Sequence, residues 1–300
     1  MRILILGHRG MLGSDLCLRL GASHDVTGKD IVDFDITSAL ACHDIISEVR
    51  PEIVINAAAY TDVDSCESNR DKCFSVNADG VKNVARACKG IKVVHFSTDY
   101  VFDGRKGIPY LEDDLCRPVS VYGQSKLEGE LFLQAFSQIL SPFLLIRTAW
   151  LYGVNGRNFV KTIMEKARTS KIIDVVDDQV GSPTSTWDLA AAVQLLIEGH
   201  HTGVFHVTNS GYCSWYEFAV KIMKYTGMKD VEVRPIKSDQ LTRPASRPSY
   251  SVLNCEKFQR ATGGTMRDWQ VALHDYINRI SEEKVSPPGS KTPNFLILIE

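Results

Sequence analysis

Short uninterrupted apolar runs punctuate the first half of the chain: Ile3-Leu4-Ile5-Leu6, Ile53-Val54-Ile55, Val93-Val94 and Phe143-Leu144-Leu145-Ile146. Runs of this length without polar alternation predict parallel strands buried on both faces, and a shorter one is predicted around Val26. Between them, helices are predicted over about Met11 to Leu20 and about Ala78 to Cys88, and another opens near Tyr122. Strand and helix alternate. The sequence therefore predicts an α/β fold in which a doubly wound parallel sheet carries helices on both faces.

The alternation loosens after Trp150. Helices are predicted from Asn158-Phe159 toward Ala167, over Trp187–Glu198, Trp215–Thr226 and Arg267–Ser281, a loop over 178–184, and a strand near 203–207 that returns to the sheet. This gives a dinucleotide-binding domain over 1–150, a smaller and mainly substrate-binding lobe over 151–284, and a linker with a short apolar tail over 285–300. In that tail, Ser286–Pro293 is linker-like, and Phe295–Ile299 is too short to cross a bilayer. Added edge strand and unstructured tail are equally good readings of it.

Candidate chemistry lies at the carboxyl ends of the strands, where open parallel sheets bind ligands. Directly after the first strand comes Gly7-x-x-Gly10-x-x-Gly13. Gly7 and Gly10 allow the backbone to turn and approach a pyrophosphate, and Gly13 lets the helix pack closely. Asp30, seventeen residues past Gly13, stands about where such folds place the acid that binds the adenosine ribose. Lys29 beside it and Arg9 in the loop are suited to a 2′-phosphate, so NADPH is expected and NADH also. Ala57, Ala58 and Ala59 are small enough to let a flat cofactor lie against the third strand. Ser97 and Thr98 end the next. Tyr122 and Lys126, four apart on one helix face, form a candidate proton-donor pair, because a nearby cation lowers a phenol pKa from about 10.

Composition narrows the partners. The chain has 300 residues, 44% apolar and 23% charged, with net charge −2 and a pI near 6.5. There is no long basic run, which argues against nucleic acid or an anionic membrane and for small-molecule ligands. Eight cysteines without C-x-x-C or zinc spacing point to reduced thiols and a cytoplasmic protein. The N-terminus is the first strand rather than a signal peptide.

Gly7-x-x-Gly10-x-x-Gly13, Ser97-Thr98-Asp99-Tyr100 and Tyr122-x-x-x-Lys126 together resemble the extended short-chain dehydrogenase/reductases, whose fold is Rossmann-like. The runs Asn56–Ala59, Ser97–Gly104, Arg147–Gly153, Asn158-Phe159, Asp178–Thr184 and Arg247-Pro248 are similar to the dTDP-4-dehydrorhamnose reductase family within that group, over roughly residues 1–284. The resemblance implies reduction of the C4 ketone of dTDP-4-dehydro-L-rhamnose by NAD(P)H, in making a sugar donor for surface polysaccharide. Thr98, Tyr122 and Lys126 would be catalytic. The cofactor would be held by Gly7, Arg9, Gly10, Met11, Leu12, Gly13, Asp30, Asp35, Ile36, Ala57, Ala58 and Ala59, with Tyr122 and Lys126. The dTDP-sugar would meet Thr98, Asp99, Tyr100, Trp150, Asn158 and Arg247. Some members bind Mg²⁺ through acids at a dimer contact. Asp15 lies in a corresponding region but no ligand set can be matched, so no metal is assigned, and a homodimer is compatible with the sequence. Two other readings stay open: a reductase for another dTDP-4-keto-6-deoxysugar, and a regulatory subunit that keeps the dinucleotide site without turnover. Intact Thr98, Tyr122 and Lys126 weigh against the latter.

Overall fold

The computed structural model describes residues 1–137 and 142–285. Its centre is a six-stranded sheet of β1 (Arg2–Leu6), β2 (Asp25–Lys29), β3 (Ile53–Asn56), β4 (Lys92–Thr98), β5 (Phe143–Thr148) and β6 (Gly203–His206), in the order β6-β5-β4-β3-β1-β2. Every pairing in it is parallel. Side chains alternate across the pleat, so β1 serves two cores. Ile3 and Ile5 pack with Leu12 and Leu16 of the Met11–Leu20 helix and with Leu189, Val193 and Leu196 of the Thr186–Glu198 helix. Leu4 and Leu6 pack with Ile45, Ile46, Val81, Val84 and Leu133 on the opposite face. The connections reverse direction between β1 and β3, which opens a crevice at their carboxyl ends.

A third core joins the helices Phe159–Thr169, Trp215–Thr226 and Trp269–Val285 through Ile163, Phe218, Ile222, Leu273 and Ile277. The chain does not pass once and for all into this lobe at residue 151. The Thr186–Glu198 helix and β6 go back to the sheet, as does Phe258 in the Glu256–Thr262 helix.

The predicted loop 178–184 contains two short pairings. Val180–Gly181 runs antiparallel to Cys213–Ser214, and Thr184–Ser185 starts a parallel pairing with Leu151–Tyr152. Two-residue strands are too short to show a period, which is why the sequence reads as loop there. The parallel pair Ile172–Val176 and Glu232–Ile236 and the Ala39–Val49 helix, capped by Ser38, were not anticipated either. All eight cysteines are free thiols. Among the described residues no helix is long and apolar enough to cross a membrane. The expected linker Ser286–Pro293 and the run Phe295–Ile299 lie outside the described residues.

Candidate active site

The chain leaves β1 through Gly7, whose φ of +80° lies in the left-handed region. A Cβ there would stand 2.7 Å from the Ala58 nitrogen. Gly7 N donates to Lys29 O at 2.8 Å and Gly10 N to Gly7 O at 3.0 Å, which fixes the turn. A Cβ on Gly13 would lie 2.1 Å from Gly7 O, so only glycine allows the helix to sit this close. That helix has Gly10 as N-cap and no side-chain cap. Its first N–H groups and the positive end of its dipole are thus left for an anion, and the cradle fits a dinucleotide pyrophosphate. Leu12 is buried in the core, Met11 lies against the Gly153–Gly156 turn, and Ala57, Ala58 and Ala59 are half-buried beyond β3.

Asp30 directly follows β2 and ties it to the glycine loop: Oδ2 accepts from Arg9 N and Oδ1 from Ile31 N, both at 2.9 Å. The Arg9 side chain is exposed. Asp35 is exposed and turns back to accept from Thr37 N at 2.9 Å. Ile36 is buried, and its side chain fills the space over Gly80.

Thr98 closes β4 at the mouth of the crevice. Its hydroxyl donates to Asp99 Oδ1 at 3.0 Å and accepts from Tyr100 N at 3.2 Å. Tyr122 follows directly on Val121, the first residue of the Val121–Ser137 helix, whose N–H is taken by Glu67 Oε1 at 2.8 Å. The Tyr122 ring meets Tyr100 edge-on, with centroids 5.9 Å apart. Burial raises the Tyr122 phenol above its usual pKa, and a hydrogen bond with Thr98 works against that. The spacing argument expected the opposite net direction. Burial is the reason, and the Lys126 ammonium is engaged elsewhere: it donates to Phe96 O at 2.7 Å and sits 3.4 Å from His95 Nε2. Burial brings Lys126 down to about 8, opposed by the charge of Glu130.

Of the expected sugar-nucleotide contacts, Asp99 is buried, accepting from Ser251 Oγ at 2.5 Å as well as from Thr98. Burial pushes its carboxyl up to about 7. Trp150 has φ +47°, rare for a large side chain, and lies flat on Trp215 at 3.5 Å with Gly181 underneath. Arg247 is not a free fork: Nη2 donates to Asp64 Oδ2 at 2.8 Å and Nη1 to Ala245 O at 2.9 Å. Asn158 is fully engaged. It caps the Phe159–Thr169 helix through Lys161 N at 3.1 Å and gives its amide protons to Gly153 O at 2.9 Å and Tyr276 Oη at 3.3 Å. These bonds make it a support for the Gly153 turn.

Sequence reasoning missed the groups that hold these residues. Asn56 Nδ2 lies 3.3 Å from His95 Nδ1, while its Oδ1 accepts from Ala58 N at 3.1 Å. The Lys126 ammonium can only donate, so Nε2 of neutral His95 accepts there, and its proton sits on Nδ1, facing the Asn56 backbone. Burial, then the Lys126 charge, lowers His95 far below the usual histidine range, so it is uncharged. Asp64, Trp215, Glu67 and the Glu130–Arg147 pair were also missed. The available signal was a polar residue, such as His95 or Arg147, at the end of an otherwise apolar strand. Asp15 is buried and accepts from Thr186 Oγ1 at 2.5 Å. Among the described residues no three His, Cys, Asp or Glu side chains gather as metal ligands.

Residues 1–282 match the family model described as "RmlD substrate binding domain". A dTDP-4-dehydrorhamnose reductase of Clostridium acetobutylicum is 44% identical, with a TM-score of 0.89, over 94% of this chain and 100% of that one. The dTDP-4-dehydrorhamnose reductase of Bacillus anthracis, solved in complex with NADP, is 38% identical with a TM-score of 0.88, over 93% of this chain and 99% of that one. A dTDP-4-keto-6-deoxy-D-glucose reductase of Streptomyces niveus is 37% identical, over 91% of this chain and 95% of its own length. With its fold, its glycine cradle and a family match over nearly its whole length, the chain belongs to the dTDP-4-dehydrorhamnose reductase family of extended short-chain dehydrogenase/reductases.

Proposed function

We propose that this protein reduces the C4 ketone of dTDP-4-dehydro-L-rhamnose to dTDP-L-rhamnose with NADPH. The observation that carries this reading is the meeting of Thr98 and Tyr122 at the end of β4, in the same parallel sheet whose β1 ends in the glycine cradle. When bound, the reduced nicotinamide supplies the hydride. Tyr122 gives the proton that neutralises the oxygen, and Thr98 hydrogen-bonds that oxygen as charge develops. Lys126, whose ammonium is held by Phe96 O and His95 Nε2, is assigned to the cofactor ribose and to the electrostatics of the proton transfer. All of these groups come from one copy of the chain, and the cytoplasm is the location that goes with this reading. The test is synthetic dTDP-4-dehydro-L-rhamnose with NADPH, followed by absorbance, with NMR of the product. No NADPH oxidation would remove the reading, and an inverted C4 would move it to the epimeric sugar; the likeness to the Streptomyces niveus enzyme supports a second reading, reduction of a different dTDP-4-keto-6-deoxysugar.

Asp99 gives the reaction a pH dependence. With its carboxyl ionised it takes the Thr98 proton; with its carboxyl protonated it donates to Thr98 and frees that hydroxyl for the ketone oxygen. Because burial holds Asp99 near 7, kcat is expected to fall as pH rises through that value. Asp99→Asn should flatten this limb of the profile.

Both cofactors are expected to serve, since Asp30 stands next to Lys29 and close to Arg9. Asp30→Ala should raise the ratio of kcat/KM for NADPH to that for NADH. An unchanged ratio would place Asp30 outside the ribose site and leave it only its bond to Arg9 N.

Arg247 is assigned to the diphosphate, with Asp64 holding its guanidinium ready. Burial works to raise Asp64, but the Arg247 and Ala245 hydrogen bonds outweigh it and keep the carboxyl low, hence charged. Arg247→Ala is expected to weaken sugar-nucleotide binding by about 1.5–3 kcal/mol, the range for hydrogen bonds to charged groups. The nucleotide-sugar KM should rise and the NADPH KM stay put.

A further inference from the structure

We propose that Cys66 and Cys73 are a reversible dithiol/disulfide site built under the Val121–Ser137 helix, called the catalytic helix for the Tyr122 and Lys126 it carries under the proposed function. Their sulfurs stand 2.8 Å apart, against about 2.03–2.05 Å in a disulfide. Small side-chain movements close that gap. A tetrahedral zinc with Zn–S of about 2.3 Å would hold two thiolates about 3.8 Å apart, so the spacing suits a bond between the sulfurs rather than a bridging metal.

Neither cysteine is solvent-exposed, and Cys66 is raised by burial first and then by Cys73. A thiolate forms seldom there, and oxidation is slower than at an accessible thiol. What shields the pair is thin. Cys66 lies in the short Val63–Ser68 helix and Cys73 in Arg70–Phe74. The backbone breaks at Asn69, and residues 68–72 between them are all exposed. Local opening of this turn admits a small peroxide. One thiolate attacks a peroxide oxygen, becoming a sulfenic acid and releasing hydroxide; the second displaces hydroxide from that sulfur. The two thiol protons leave in two waters, two sulfurs are oxidised and the peroxide is reduced.

The pair is joined to the chemistry at two points. Cys73 Sγ lies 3.1 Å from Ser125 Oγ, which donates to the Tyr122 carbonyl at 2.8 Å and accepts from Asn77 Nδ2 at 3.0 Å. Glu67, next to Cys66, holds the first N–H of the catalytic helix. Closing the bond draws Cys73 Sγ toward Cys66, removes a thiol proton from the Ser125 network and shifts both contacts.

The experiment treats the full chain with hydrogen peroxide and follows thiols, peptides and turnover. Cleavage after Arg70 and Lys72 separates the two cysteines, so a linked peptide pair, 2 Da lighter than the two together, identifies the bond without reference to activity. The expected result is this pair, reversed by dithiothreitol, with kcat at least threefold lower in the linked form and restored on reduction. Cys73→Ala and, independently, Cys66→Ser should form no link and keep their kcat under the same dose. Oxidation of the half-exposed Cys17, Cys116 and Cys255 without a 66–73 link would overturn the site. A linked protein with full kcat would overturn its coupling to the helix, and equal loss of activity in both variants would assign the effect to other thiols.

Discussion

Tyr122→Phe is expected to lower kcat by about 10²–10⁴-fold, the usual worth of a positioned general acid, while NADPH binds as tightly as before. The substitution removes one hydroxyl and little volume. The edge-on contact with Tyr100 survives, as does the Glu67 cap on Val121 N. The phenol is buried and its pKa raised, so it is fully protonated at neutral pH and has its proton to give. Burial also makes the phenolate left by transfer costly, and Thr98 is the neighbour that hydrogen-bonds it. Thr98→Ala should therefore deepen no further than about tenfold what Tyr122→Phe has already lost, since groups acting as a unit are not additive. Steady-state kinetics with fluorescence titration of NADPH separates the two effects. A Tyr122→Phe enzyme that keeps half its kcat would transfer the proton-donor role elsewhere.

Local features of the site are legible in the sequence because they are set by neighbours a few residues away. Gly7 and Gly13 follow from a turn that admits no Cβ, and the sheet follows from apolar runs that only a doubly covered sheet can bury. What was not legible depends on residues far apart in the chain. Asp64 meets Arg247 across 183 positions, so Arg247-Pro248 was visible as a motif and its partner was not. Asn158 was visible as part of a motif, and its bond to Tyr276, 118 positions away, was not. The Tyr122–Lys126 spacing placed both residues on one helix face. It could not tell that Phe96 O and His95, on the adjoining strand, would draw the ammonium, nor that burial would decide the phenol's pKa. That Trp150, an expected sugar-nucleotide contact, lies flat on Trp215 with its backbone turned to φ +47° is not signalled by the sequence.

The largest expected loss of stability is at Arg147. Its guanidinium donates from Nε and Nη2 to both oxygens of Glu130, with Nη2 at 2.7 Å, and from Nη1 to Glu112 O at 3.0 Å. Side-chain exposure is 5% for Arg147 and 0% for Glu130. Arg147→Met leaves Glu130 as a buried carboxylate without its partner, a change that costs about 3–5 kcal/mol. For a chain of this size each kcal/mol moves Tm by about 2–4 °C, so thermal unfolding should shift down by roughly 6–20 °C. Arg147→Met combined with Glu130→Leu should recover much of this, because an apolar pair of similar volume is often as stable as a buried ion pair. The double variant then separates folding from chemistry. Glu130 stands one turn beyond Lys126 on the catalytic helix, and its charge is the largest force opposing the burial that lowers Lys126 toward 8. With Glu130 gone Lys126 should lose its proton at lower pH, and in an Asp99→Asn background, where the limb near 7 is flattened, the remaining alkaline limb of kcat should move to lower pH in a protein that unfolds near the wild-type temperature. A stable double variant with an unmoved alkaline limb would confine the Glu130–Arg147 pair to holding the catalytic helix on β5.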